Sequence, residues 1–363
     1  MNISIIGGGY AGISAAIELS KHRDASVTLF DTRSAHQKIT QWHKLTTQKA
    51  ENYEIPFKQL AERFHFTFVQ KTVDLSSLTI HPTLQNIRDV ISSTLPNSPL
   101  LPPDAVIIAQ GATSTSTRYV ESSKIVTLDD LRNSHEAQST LRNLRGKTVG
   151  IIGGGPTGVQ FAFELARSNT VILFEAMSRL LPSFEPRLGL FAEQRALEHG
   201  IELQLSHRFE SFNGSQIIAQ NSRKESINFA VDYTLFVPGV TAAPNFQCDE
   251  YGRILVHDSV AQGLYACGDN SVFAGKGLNT KSAQSALRKG SLVAHTVLSD
   301  LKNLPAEAYD YQELGYFVSL GSFNAVGYLL DQRLLLRGPL ARLMKEAVER
   351  QYDLFLSGWN TYF

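Results

Sequence analysis

Two glycine-rich segments carry the clearest chemical signal in the sequence. They read GGGYAG at positions 7–12 and GGGPTG at positions 153–158, and each follows a short apolar segment and precedes a helical pattern. In that context the first glycine allows a tight turn, the second lets the backbone approach a pyrophosphate, and the third lets the helix pack closely on the strand. Both segments therefore predict dinucleotide binding.

An acidic residue follows each loop at a fitting distance. Asp31 stands 19 residues after Gly12, and Glu175 stands 17 residues after Gly158. A carboxylate in this place hydrogen-bonds ribose hydroxyls and repels a 2′-phosphate, which favours NADH at Glu175 and leaves NADPH as the alternative, since Arg179 would offset part of that repulsion. The residues expected to contact nucleotides are Gly7, Gly9, Tyr10, Ala11, Gly12 and Asp31 in the first unit, and Gly153, Gly155, Pro156, Thr157, Gly158 and Glu175 in the second.

Alternating strands and helices must position these loops. Apolar patterning predicts strands at 3–6, 27–30, 148–152 and 170–174, with a helix after each glycine loop. Further strands at 104–109, 232–238 and 263–267 run into Gly111, Gly239 and Gly268-Asp269, and a helix begins near Ser282 with Ala283 in its first turn. These five residues, Gly111, Gly239, Gly268, Asp269 and Ala283, are also expected to contact the nucleotides. This duplicated pattern predicts an α/β fold with two Rossmann-like dinucleotide-binding domains and a small C-terminal α+β domain.

The composition limits the classes of function. Lysine plus arginine and aspartate plus glutamate number 34 each, so the net charge is zero and no nucleic-acid partner is expected. Two cysteines, Cys248 and Cys267, make neither a CxxC redox pair nor a disulfide framework, and no ligand pattern predicts a metal. Without a targeting pattern or a long apolar run, we expect a cytoplasmic protein, with membrane contact only at the periphery.

The domain boundaries follow from the duplication. We expect one discontinuous domain over 1–113 and 245–300, a second over 114–244, and a C-terminal unit over 301–363, with crossing segments at 113–117 and 244–245. The C-terminal unit should hold two strands, at 315–320 and 325–330, and a helix at 339–356. The apolar positions of this helix are Leu340, Leu343, Met344, Ala347, Val348, Leu354 and Phe355.

The function of this apolar face has two interpretations. The helix either packs on its own domain or on a dimer partner, or it lies against a membrane surface with Trp359, Tyr362 and Phe363 at the interface.

The motifs resemble a known superfamily. With the two glycine loops and the GD pair at 268–269, the segments FEAMSRLLPSF at 174–184, KSAQSALRKG at 281–290 and FVSLG at 317–321 resemble the two-dinucleotide flavoproteins, or pyridine nucleotide-disulfide oxidoreductases. Within them the chain is most similar to type II NADH dehydrogenases and apoptosis-inducing-factor-like NADH:quinone reductases, over essentially its whole length. The resemblance implies FAD on the first unit, with Asp31 on its adenosine ribose and Asp269 on its ribityl chain, and NAD(P)H on the second unit through Gly153, Gly155 and Gly158.

The resemblance also implies a reaction, in which a hydride passes from the nicotinamide to the flavin and two electrons pass on to a quinone-like acceptor. Gln160 stands near the nicotinamide where relatives carry glutamate, and Gln284 matches the segment that lines the quinone approach, although Leu287-Arg288-Lys289 departs from the pattern after it. We expect Lys281 and the positive end of the helix near Ser282 to stabilise negative charge on the flavin. The alternatives are a protein or small organic acceptor, or a non-catalytic sensor that binds FAD and NADH.

Three further residues are candidates for contact with flavin or acceptor. His36, Gln37 and His43 follow shortly after Asp31.

Overall fold

The computed structural model describes residues 1–48, 50–75, 82–94, 100–114, 124–242, 245–359 and 361. Residues 115–117 and 244 of the predicted crossing segments, and the tail residues Tyr362 and Phe363, lie outside the described residues.

The strands are β1 (Asn2–Ile6), β2 (Ser26–Asp31), β3 (Ala35–Gln37), β4 (Glu54–Pro56), β5 (Thr67–Gln70), β6 (Ala105–Ile108), β7 (Thr113–Ser114), β8 (Ile125–Thr127), β9 (Thr148–Ile152), β10 (Thr170–Glu175), β11 (Glu202–Leu205), β12 (Arg208–Phe212), β13 (Gln216–Gln220), β14 (Ser226–Ala230), β15 (Tyr233–Phe236), β16 (Val240–Thr241), β17 (Phe246–Cys248), β18 (Arg253–Val256), β19 (Ser259–Ala266), β20 (Ser271–Phe273), β21 (Gly315–Leu320), β22 (Asn324–Leu329) and β23 (Leu334–Gly338).

The helices are α1 (Tyr10–Ser20), α2 (Phe57–Phe64), α3 (Leu84–Thr94), α4 (Leu128–Asn133), α5 (His135–Asn143), α6 (Pro156–Leu165), α7 (Pro186–Glu198), α8 (Ala283–Leu301) and α9 (Pro339–Leu356). Two 3-10 helices cover Ile39–Thr46 and Ala50–Tyr53.

The described chain groups into two compact units. The first comprises residues 1–37, 54–112 and 242–313, and the second comprises 38–53, 113–241 and 314–363. The three-domain division expected from the sequence stays a prediction.

The first unit is built on a sheet that has eight strands among the described residues, in the order β20-β17-β18-β19-β6-β1-β2-β5. The strands from β19 to β5 run parallel, so their carboxyl ends meet at one edge. Helix α1 connects β1 to β2 and packs against α8. The two helices come close because Gly290 carries no side chain: a Cβ there would lie 2.1 Å from the Ala11 carbonyl oxygen.

The second unit repeats this arrangement with a parallel sheet in the order β11-β10-β9-β15-β8. Helix α6 connects β9 to β10, and its side chains are apolar nearly all round, including Val159, Phe161, Phe163 and Leu165. A helix with this composition must be covered on several sides. The 3-10 helix Ile39–Thr46 and strand β21 both pack on it. The prediction of an α/β fold with two Rossmann-like units is confirmed.

The C-terminal segment of the second unit agrees with the prediction in its elements. The strands predicted at 315–320 and 325–330 are β21 and β22, and the helix α9 has the predicted bounds. Strand β23 was not predicted, and it completes an antiparallel sheet with the other two.

Helix α9 buries a lysine and leaves several of its predicted apolar positions exposed. Leu340, Leu343, Val348 and Leu354 are exposed, while Lys345 is 6% exposed. Packing on its own domain therefore buries only part of the apolar face, such as Phe355, and the dimer-partner and membrane interpretations of the exposed part stay predictions. Lys345 can be buried because α9 packs against the 3-10 helix through charged groups. Lys44 of the 3-10 helix forms an ion pair of 2.7 Å with Glu349, and Lys345 forms a second one of 3.2 Å with the same carboxylate.

Burial and charge oppose each other at Glu349. Burial raises the pKa of this carboxyl, but the positive charges of Lys345 and Lys44 outweigh it and hold the pKa below its ordinary value. Burial also lowers the pKa of Lys345, whereas the negative charge of Glu349 raises it.

None of the helices in the described part of the chain combines the length and apolarity that crossing a bilayer requires.

We expect Glu349→Gln to destabilise the protein by about 3 kcal/mol, because it leaves the buried Lys345 without its counter-charge. Thermal or denaturant unfolding of wild type and variant measures the loss. Since the pKa of Glu349 is lowered in the folded state, the stabilisation is present above the ordinary value of 4.5 and is lost as the pH falls through the folded-state pKa.

The control is Arg350→Gln on the exposed side of the same helix, which should change stability by less than about 0.5 kcal/mol. The double variant Lys345→Met with Glu349→Gln should recover part of the loss. Equal stability of Glu349→Gln and wild type would contradict the account of α9.

Candidate functional site

The first glycine loop joins β1 to α1. The Gly7 amide donates to the Phe30 carbonyl at 2.8 Å, which ties the loop to the neighbouring strand. Gly7 has φ +108°, and a Cβ there would lie 2.4 Å from the Ala109 carbonyl oxygen. A Cβ at Gly12 would lie 1.9 Å from the Gly7 carbonyl oxygen, so helix and strand approach as closely as the motif predicts. A Cβ at Gly9, by contrast, would meet no atom within 4 Å.

The second loop has the same geometry. The Gly153 amide donates to the Phe174 carbonyl at 2.9 Å, and Gly153 has φ +113°. A Cβ at Gly158 would lie 1.8 Å from the Gly153 carbonyl oxygen, while a Cβ at Gly155 would again meet open space. Each loop thus leaves its middle glycine uncovered beside the first turn of a helix whose amides lack helical partners. That combination fits a pyrophosphate, and Pro156 at the first position of α6 is compatible with it.

The two acids bind their own loops in the same way. The Gly8 amide donates to Asp31 Oδ2 at 2.7 Å, and the Gly154 amide donates to Glu175 Oε2 at 2.8 Å. Each carboxylate therefore joins the end of one strand to the loop that follows the adjacent strand.

The surroundings of the two acids differ. Arg33 holds Asp31 through Nε to Oδ1 and Nη2 to Oδ2, both at 2.9 Å. Burial raises the pKa of Asp31, but the hydrogen bonds and charge of Arg33, with the Arg33 and Gly8 amides, bring it below its ordinary value. At Glu175, no basic side chain of the described residues forms an ion pair with the carboxylate, which instead accepts from the Met177 amide at 2.8 Å.

Arg179 does not bind Glu175. Its guanidinium donates to the carbonyls of Leu181, Pro182 and Phe184 and so closes the loop before α7. The sequence suggested that Arg179 offsets part of the charge of Glu175, but its printed contacts are all with backbone carbonyls.

The other predicted nucleotide-binding residues of the first unit follow the same sheet edge. Gly111 (φ +70°) lies just beyond β6, next to β1, and Gly268 (φ +87°) lies just beyond β19. A Cβ at Gly268 would lie 3.0 Å from the Ala11 Cβ, so the Gly268-Asp269 segment borders the start of α1. The Ser14 hydroxyl donates to the Leu287 carbonyl at 2.8 Å and anchors α8 beside α1. Tyr10 and Ala11 are buried, whereas Asp269 and Ala283 are partly exposed and Lys281 is exposed.

In the second unit, Thr157 is partly exposed in the first turn of α6, and Gly239 (φ +146°) follows β15 beside β9. Gln160 is nearly buried, and its Oε1 accepts from the Ser319 amide at 3.3 Å. The Ser319 hydroxyl accepts from Arg342 Nη1 at 2.8 Å. This links α6 to α9, a connection that no sequence pattern indicated.

The side chain of His36 contacts the first glycine loop. Its Nδ1 lies 2.9 Å from the Gly8 carbonyl oxygen, and its ring is fully buried, in edge contact with Tyr10. Gln37 donates to Glu54 and accepts from Arg33.

His43 of the second unit is buried, and neither ring nitrogen has a hydrogen-bond partner among the described residues. Burial and the nearby cations Lys345, Lys44 and Arg342 lower the pKa of His43 well below its ordinary value.

Sequence reasoning missed Lys289. It reads as a solvent-facing charge, yet it is 2% exposed and its Nζ donates to the Ser271 carbonyl at 2.7 Å. Burial lowers the pKa of Lys289 to about 8. The ammonium secures the turn after Asp269, where Ser271 also donates to the Gly268 carbonyl at 2.8 Å.

The two cysteines are buried and free. Burial raises the pKa of Cys267 to about 12 and raises that of Cys248 further. Both are thiols at neutral pH, so neither is a nucleophile there.

A family model agrees with this geometry. The model of the pyridine nucleotide-disulphide oxidoreductases matches residues 1–290. Among curated proteins, the type II NADH:quinone oxidoreductase of Staphylococcus aureus (strain MSSA476) is 22% identical over 409 residues, covering 99% of this chain and 97% of the relative. The protein of the same name from Haemophilus influenzae is 22% identical over 424 residues, covering 98% and 94%.

Solved structures share the fold. The sulfide:quinone oxidoreductase of Aquifex aeolicus superposes with a TM-score of 0.76 at 15% identity, covering 98% of this chain and 91% of that one. NDH2 from Plasmodium falciparum in complex with NADH also gives 0.76 at 15% identity, covering 100% and 96%. With a family model matched over most of its length and two glycine loops of the geometry described above, this chain belongs to the pyridine nucleotide-disulphide oxidoreductase family.

Proposed function

We propose that this protein is a cytoplasmic, FAD-dependent NADH dehydrogenase that reduces a quinone-like acceptor. The observation that carries the proposal is the duplicated glycine loop, because one chain with two such cradles can hold the two dinucleotides of a hydride transfer. The names of the curated relatives, type II NADH:quinone oxidoreductases, support the donor and the acceptor.

The cofactors are assigned by unit. FAD belongs to the first, with Gly9 at its pyrophosphate, Asp31 at its adenosine ribose and Asp269 at its ribityl chain. NADH belongs to the second, with Gly155 at its pyrophosphate and Glu175 at its ribose. The proposed domains are residues 1–113 with 245–300 for FAD, 114–244 for NADH, and 301–363 at the C-terminus.

The proposed reaction is NADH + H⁺ + quinone → NAD⁺ + quinol, and bound FAD supplies the hydride-accepting and electron-donating chemistry between the two substrates. The chain's own contribution is binding and electrostatics. Amides at the starts of α1 and α6 bind the two pyrophosphates, Gln160 lies one turn further along α6, and Lys281 with the first turn of α8 provides positive potential.

The exposed apolar residues of α9 support a further contact. Leu340, Leu343 and Leu354 lie on the outside of the helix, and Trp359 follows it at 70% exposure. We include in the proposal a peripheral contact of this face with a bilayer or with a second copy of the chain.

The first test is an anaerobic NADH titration of the purified protein that follows the flavin absorbance. NADH should bleach the flavin, and menadione added at the end should restore it. Bleaching without restoration would replace the quinone with a protein or another small organic acceptor. A flavin that NADH never bleaches would favour a binding protein or sensor and refute the dehydrogenase.

Two matched glycine variants test the assignment of cofactors to units. Gly12→Ala should lose bound FAD, because its Cβ collides with the Gly7 carbonyl. Gly158→Ala should keep its FAD, while its KM for NADH rises at least about tenfold, equivalent to about 1.4 kcal/mol. Flavin absorbance per protein and steady-state kinetics give the two readings. The opposite pattern, with flavin lost from Gly158→Ala and retained in Gly12→Ala, would reverse the assignment.

Glu175 should determine the choice of nicotinamide cofactor. Its carboxylate repels a 2′-phosphate, and no basic side chain of the described residues pairs with it, so kcat/KM should favour NADH in the wild type, and Glu175→Ala should raise relative use of NADPH about tenfold. Glu185→Ala, which removes the N-cap of α7 in the same unit, is the control. A wild type that prefers NADPH would contradict this role.

A further inference from the structure

Gln284 is held by a tyrosine that no sequence motif indicated. The Tyr311 hydroxyl donates to Gln284 Oε1 at 2.8 Å. Gln284 is the second residue of α8 and is partly exposed, whereas Tyr311 is buried. Among the residues that the structure describes, none accepts a hydrogen bond from Gln284 Nε2.

The direction of this bond follows from its acceptor, because an amide oxygen has no proton to donate. The Tyr311 hydroxyl is therefore the donor to Gln284 Oε1. Ser282, the N-cap of α8, accepts from the Ser285 amide at 3.2 Å, and its hydroxyl lies 3.3 Å from that of Thr280. Burial raises the pKa of Tyr311 far above neutrality, so the hydroxyl keeps its proton. The amide of Gln284 therefore has its oxygen occupied and its two N–H donors available.

Tyr311 itself is fixed by its neighbours in the first unit. Its carbonyl accepts from the Leu278 amide at 2.8 Å, and its ring stacks on Tyr309 with centroids 6.0 Å apart. Tyr309 in turn packs against Gly277, where a Cβ would lie 2.3 Å from the Tyr309 ring. The tyrosine hydroxyl consequently has little freedom to follow a rotation of the glutamine.

We infer that Tyr311 is a positioning residue for the electron acceptor: it fixes the Gln284 amide so that Nε2 donates to a carbonyl oxygen of the quinone. This inference rests on the proposed function. A carbonyl oxygen accepts such a bond and gains negative charge as it is reduced, which the first turn of α8 also favours. Reduction of an acceptor without a carbonyl, such as ferricyanide, does not depend on this orientation of Gln284.

Steady-state kinetics of the holoenzyme with menadione and with ferricyanide test the inference. Tyr311→Phe should raise the KM for menadione about tenfold while leaving the ferricyanide rate and the anaerobic bleaching by NADH unchanged. In the Gln284→Ala background, Tyr311→Phe should produce no further rise, because the tyrosine acts through the glutamine.

Tyr309→Phe is the matched control. It removes a neighbouring buried hydroxyl that bonds Ser285 and Leu278 and does not bond Gln284, so the KM for menadione should not change.

Three results would overturn the inference alone: an unchanged KM in Tyr311→Phe, an equal rise in Tyr309→Phe, or the full rise in the Gln284→Ala background. Failure of the proposed function gives a different result in the wild type. If NADH bleaches the flavin and menadione does not restore it, the quinone acceptor is refuted, and this inference is refuted with it.

Discussion

The hydrogen bond from a loop amide to the acid at the end of the neighbouring strand organises both halves of this protein. Gly8 with Asp31 and Gly154 with Glu175 repeat the same contact at 2.7 and 2.8 Å. The contact requires two parallel strands whose carboxyl ends meet and a turn tight enough to bring the amide beneath the carboxylate. Glycine with positive φ at the first loop position allows this tight turn. The helix that packs against the loop keeps the turn closed.

The two copies of this arrangement differ in electrostatics. Asp31 forms an ion pair with Arg33, while Glu175 accepts from the backbone amides of Gly154 and Met177. A buried carboxylate supported by amides alone retains a field that acts on what binds beside it. The two loops therefore share a backbone geometry and differ in the charged groups beside it.

Outside the loops, buried polar contacts connect the site to the elements around it. Lys289 secures the turn after Asp269, and Tyr311 directs the amide of Gln284. In the second unit, Arg342 reaches Gln160 through Ser319, and the ion pair of Lys44 with Glu349 attaches α9 to the 3-10 helix. Hydrogen bonds and ion pairs of this kind restrict the positions that the partly exposed side chains of the site can adopt.

The sequence alone determined the loops, the acids that follow them, and most of the strands and helices, including the bounds of α9. These features depend on local spacing: a turn that only glycine can form, an apolar period, a cap such as Ser282. The tertiary structure alone decided which face of α9 is buried, that Lys289 lies inside, and which partner holds Gln284. Each of these depends on a residue distant in the chain, Lys44 for Glu349, Ser271 for Lys289, and Tyr311 for Gln284. A hydrophobic pattern assigns a lysine to solvent because an isolated buried charge is unfavourable, and only the folded chain supplies the carbonyl or carboxylate that makes its burial stable.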